Sequence, residues 1–167
     1  MSKLTALAVS IAVLGGVWAF LALNPLASIA LVWVGFIAWG CYFHSGADSA
    51  ALQKTIAGMS YGAVIAGVAL YLVSSGLLGG LGVLAAPVII AVTVFFLVIV
   101  ASINLLSVVP ANVYGYAATA GLALTANTAG NATMTNLTNP VLLVIISVVL
   151  GALFGMASGK LAGAIGK

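Results

Sequence analysis

Apolar residues fall into long runs separated by short polar breaks, and the breaks mark out the elements. The first run, Leu4 to Leu23, stops at Asn24-Pro25, where the proline ring disfavours helix for the residue before it. A second run, residues 26–43, is the most aromatic part of the chain, with Trp33, Phe36, Trp39, Tyr42 and Phe43. The polar turn Ser45-Gly-Ala-Asp48-Ser follows, and a third run covers 55–74 with Gly58, Gly62 and Ala66 at i, i+4 spacing. After Ser75-Gly-Leu-Leu-Gly-Gly80 comes a fourth, Leu81 to Ile103, then a more polar fifth, 108–124, with Pro110 suited to the first turn of a helix. An Asn/Thr/Gly-rich loop leads to the sixth run, 140–158, with Gly151 and Gly155 again four apart.

Each run has about 17 to 23 residues and rises about 1.5 Å per residue, enough to span or nearly span a hydrocarbon core of about 30 Å. The expected fold is therefore all-α and polytopic: one transmembrane domain, residues 1–167, of about six helices. With the N-terminus in the cytoplasm, Lys3, the turn from Asp48 to Lys54 and the tail with Lys160 and Lys167 all lie inside, as the positive-inside rule asks. The prediction is N-in and C-in, although the fifth segment is also short enough for a re-entrant hairpin.

Composition agrees. Hydrophobic residues make up 65% of the chain and charged ones 3%, against about 25% charged in soluble domains. The net charge of +3 comes from four lysines against Asp48 alone, which reports a shortage of acids and gives no basic patch for nucleic acid. Cys41 is the one cysteine, so no intrachain disulfide or multi-cysteine metal site is possible, and its apolar flanks predict a buried thiol. With one histidine, one acid and no arginine, the groups that hydrolysis, phosphoryl transfer or metal catalysis need are missing. No enzyme, cofactor or metal is expected.

The fifth segment carries the candidate chemistry. Asn112, Tyr116 and Thr119 fall at i, i+4 and i+7 on one helical face, with Ala123 completing the stripe. Polar groups in a bilayer turn from lipid toward other helices or water, so this face predicts either a pore lining or a polar helix seam. As a pore lining it offers an amide, a phenol and a hydroxyl to a small neutral polar solute such as urea, an amide or ammonia. Trp18, Trp33, Trp39, Phe95 and Phe96 then either narrow the path or form lipid belts and packing contacts. His44 is a possible gate, imidazole being the side chain suited to switching charge near neutral pH, or else a headgroup-level anchor. Gly58, Gly62, Gly151 and Gly155 are expected at close helix contacts, within or between protomers of a homo-oligomer.

A gapless echo links residues 57–70 with 111–124. Its identities are mostly Ala, Gly and Leu, which this composition supplies by chance.

Phe43 with its Gly-containing turn, the Ala/Gly-rich third segment, Leu106-Ser107-Val-Val-Pro110-Ala-Asn-Val-Tyr-Gly115 and Gly151-Ala-Leu-Phe-Gly155 together resemble the YcdZ-type family of small bacterial inner-membrane proteins of unknown function. The resemblance covers most of the chain. It implies a bacterial inner-membrane location and a multi-pass helical fold, and it carries no substrate or catalytic residues. The expected function is a passive channel or facilitator in the lipid bilayer, the alternative being a non-transporting scaffold or accessory subunit.

Overall fold

A computed structural model describes all of residues 1–167. The chain is all-helical: α1 is Lys3–Leu23, α2 Val32–His44, α3 Ser49–Ser74, α4 Ala85–Ile99, α5 Val109–Thr125 and α6 Pro140–Ile165. Four stretches are long and apolar enough to cross a membrane: α1, α3, α6, and Gly79–Ser102, which is α4 with its flanking 3-10 turns. The chain divides into two compact units, one of Met1–Ile56 with Ile146–Lys167 and one of Ala57–Ile145.

Three helix starts depart from the sequence pattern, one of them that of α4, which begins at Ala85 instead of residue 81 because Gly79–Leu84 forms a 3-10 turn with Gly82 at φ 54°. α2 begins at Val32 instead of residue 26, because the chain after Asn24-Pro25 first makes successive turns, Leu26 N–H to the Leu21 carbonyl and Ala30 N–H to that of Leu26. No side chain of its own caps α2; the Leu31 N–H donates to the Ser147 hydroxyl of α6 at 2.8 Å. α3 begins at Ser49 instead of residue 55, because Asp48 caps it by accepting from the Ala51 N–H at 2.7 Å. The tight turn before it places Gly46 and Ala47 at positive φ, 118° and 58°. Ala47 tolerates this because its backbone is clasped on both sides: its N–H reaches the Tyr42 carbonyl, and its carbonyl accepts from the Tyr42 hydroxyl at 2.6 Å. α6 continues to Ile165, past the expected 158.

In the first unit α2 and α6 run parallel in constant register. Leu31 meets Ser147, Gly35 meets Gly151, Trp39 meets Gly155, and Phe43 meets Gly159. Four small residues on every fourth position of α6 thus form a groove for α2. At its tightest point a Cβ on Gly151 would run into the Gly35 backbone, and one on Gly35 would strike the Trp18 indole. Trp18 is fully buried, donates its indole N–H to the Val32 carbonyl at 3.0 Å and packs on Phe154 at 5.5 Å; Phe154 also lies 6.0 Å from the Trp39 ring.

In the second unit α3 and α5 pair in parallel. Cβ atoms on Gly58 and Gly62 would collide with Asn112, and one on Gly115 with the Met59 carbonyl. The aligned positions of the sequence echo therefore face each other, Gly58 beside Asn112 and Gly62 beside Tyr116. Matching Ala and Gly on both helices is what close parallel approach requires of each. α4 joins through its Phe96 carbonyl, which accepts from the Tyr61 hydroxyl at 3.0 Å, while Val92, Phe95 and Ile99 stay exposed.

Candidate functional site

Pro110 occupies the first turn of α5, where its missing N–H leaves no bond unmade, and sets the register of the polar face. Asn112 is fully buried; its Nδ2 donates to the Leu97 carbonyl of α4 and to the Leu106 carbonyl before α5, each at 3.1 Å. The Tyr116 hydroxyl lies 3.1 Å from that of Thr93 on α4, which also donates to its own helix at Ile89. Thr119 is fully buried. The structure thus brings all three onto the inner face of α5 in the second unit. Two oxygens on this face, Asn112 Oδ1 and Thr119 Oγ1, are buried without any hydrogen-bond partner.

The other candidates lie apart. His44 is exposed at the last residue of α2, and Cys41 is 1% exposed beside the Thr55 hydroxyl at 3.7 Å. Of the aromatic residues, Trp18 and Trp39 are interior, whereas Trp33, Phe95 and Phe96 are 42%, 60% and 53% exposed. No group of three or more His, Cys, Asp or Glu is placed to hold a metal ion.

A family model matches residues 8–163; the family is described as Protein of unknown function (DUF1097). The chain belongs to the DUF1097 family. No curated protein and no solved structure matches it. DUF1097 membership brings no residue roles, so chemistry rests on the side chains themselves.

Clefts open on this DUF1097 chain in both units. One, of about 490 Å³ in the first unit, is lined by Lys3, Tyr42, Asp48 and Lys160 among others. The second, of about 260 Å³ in the second unit, lies beside Tyr71 and Asn139. Neither touches Asn112, Tyr116, Thr119 or His44. The Asn139 amide is committed to the loop, its Nδ2 donating to Ala132 and Met134 carbonyls and its Oδ1 accepting from the Val141 N–H.

Thr93, the pair Ser147 and Gly159, and the cluster of Lys3, Asp48 and Lys160 contribute beyond the candidate residues picked out above. Thr93 reads as an interruption in a greasy run, yet it faces Tyr116. Ser147 and Gly159 belong to the same four-residue rhythm as Gly151 and Gly155 and are legible from it. The gathering of Lys3, Asp48 and Lys160 joins residues far apart in the chain and has no local signature.

Proposed function

We propose that this chain is a multi-pass protein of the bacterial inner membrane, acting in a homo-oligomer as a passive facilitator for a small neutral polar solute of the urea, amide or ammonia type. The observation that carries it is the pair of partnerless buried oxygens, Asn112 Oδ1 and Thr119 Oγ1, on one face of α5. A buried polar group without a partner costs about 1 to 3 kcal/mol, and a threonine inside a helix ordinarily bonds back to its own preceding turn. Oxygens left unbonded along one stripe match a donor such as an amide N–H, which reaches them only when the helices around α5 part, since both residues are fully buried. Asn112 and Thr119 serve as solute contacts, with Tyr116 between them. The role is non-enzymatic, since the one acid, Asp48, caps a helix and His44 stands alone.

Six crossings with both ends cytoplasmic are part of the proposal. They are supported by Lys3, Asp48 and Lys160 lining one cleft, and by the parallel pairs α2 with α6 and α3 with α5, the directions that alternate crossings produce.

The Asn112 and Tyr116 hydrogen bonds to α4 favour a second role, a non-transporting scaffold in which the polar face is a helix seam. Proteoliposome swelling with urea, acetamide and ammonia separates the two. A facilitator gives flux that Thr119→Val alters while the oligomer stays intact; uniform impermeability of the wild type sinks the channel. His44→Gln tests gating in the same assay: a gate predicts that flux depends on pH in the wild type and not in the variant.

A further inference from the structure

The cleft in the first unit gathers three of the chain's five charged side chains: Lys3 from α1, Asp48 from the turn before α3 and Lys160 from α6. Both lysines are exposed, so their ammonium groups are free to turn toward a ligand. Asp48 is turned to its own helix, holding the Ala51 N–H. The cleft lies where α1 and α3 begin, at Lys3 and Ser49, and where α2 and α6 end, near Phe43 and Gly163, so the helix dipoles offset one another and its positive charge is that of the two lysines. Below the charged lip the wall is apolar, built from Leu7, Phe43 and Met156. Room remains because the small-residue row of α6 continues to Gly163, whose Cβ position meets nothing within 4 Å.

We infer that this cleft binds the phosphate headgroup of an anionic phospholipid, held between Lys3 and Lys160, with the start of an acyl chain laid along Leu7, Phe43 and Met156. Two cations at helix ends match a phosphodiester, and the apolar wall matches what a lipid carries and a soluble phosphate lacks. Basic pockets between helix ends at a membrane surface take anionic headgroups for this reason. The site is independent of solute passage and rests only on the membrane placement of the chain.

Native mass spectrometry of the full-length protein in detergent, titrated with phosphatidylglycerol, phosphatidylcholine and glycerol 3-phosphate, tests it. Phosphatidylglycerol is expected to be retained over phosphatidylcholine, with about a five-fold loss for each of Lys3→Gln and Lys160→Gln, at about 1 kcal/mol per lysine. Asp48→Asn keeps a good helix cap while removing the negative charge, and it is expected to tighten phosphatidylglycerol binding. Lys54→Gln, outside the cleft, is expected to change nothing. Equal retention of the two lipids, or undiminished phosphatidylglycerol binding in both lysine variants, overturns the inference. Glycerol 3-phosphate binding as tightly as the lipid would overturn it too, by showing a soluble phosphate site.

Discussion

Gly151 of α6 lies on the backbone of Gly35 of α2, so close that a Cβ on Gly151 has no space. Replacing Gly151 by leucine must drive the two helices apart or unfold the first unit, and overpacking of this kind ordinarily costs about 1 to 3 kcal/mol or more. A marked fall in melting temperature in detergent is the expected outcome. Gly40→Ala is the matched control: nothing lies within 4 Å of its Cβ position, and the change is expected to stabilise α2 by up to about 1 kcal/mol.

Gly62→Leu is expected to act on the second unit in the same manner, since the new side chain meets the Asn112 carbonyl and the Tyr116 N–H. The experiment reads expression, oligomer size and thermal stability together. Normal values for all three would show that α3 and α5 do not depend on their close approach.

The same two contacts show how much the sequence disclosed. Spacing alone picks out Gly151 and Gly62 as packing residues, because a row of small side chains every fourth position has few other uses in an apolar helix. It does not disclose Gly35, which sits among aromatic residues with no rhythm around it, nor what faces what. The start of α2 is hidden for a related reason: the group that satisfies Leu31 is Ser147, 116 residues away. The polar face of α5 was legible as a face, while the division of its atoms into bonded and partnerless ones depends on α4, through the carbonyl of Leu97 and the hydroxyl of Thr93.

That division yields opposite stability signs for two neighbouring variants. Asn112→Ala removes two donated hydrogen bonds, to the Leu97 and Leu106 carbonyls, and leaves a cavity, so a loss of about 1 to 3 kcal/mol is expected. Thr119→Val removes a hydroxyl that has no partner, and stability is expected to hold or rise. Thermal unfolding of the two variants checks this; a destabilised Thr119→Val would reveal a structural bond at that hydroxyl.

Cys41, at 1% exposure, is expected to resist a maleimide in the folded protein and to react fully once unfolded. Its replacement by alanine provides a background for mapping the membrane sides. In that background Lys167→Cys is expected to react with an impermeant maleimide only from the cytoplasm, and Asn131→Cys only from outside. Labelling of both from one side would eliminate the six-crossing arrangement.

The register between α2 and α6 also fixes an order of events during synthesis. α2 leaves the ribosome more than a hundred residues before Ser147, and until α6 arrives the Leu31 N–H and the bare backbone of Gly35 face whatever else is at hand. The early helices must therefore be held in the membrane as an unfinished half, by lipid, by the insertion machinery or by a second nascent chain. A stop codon placed before residue 140 would leave that half without its lid, a target for membrane quality-control proteases.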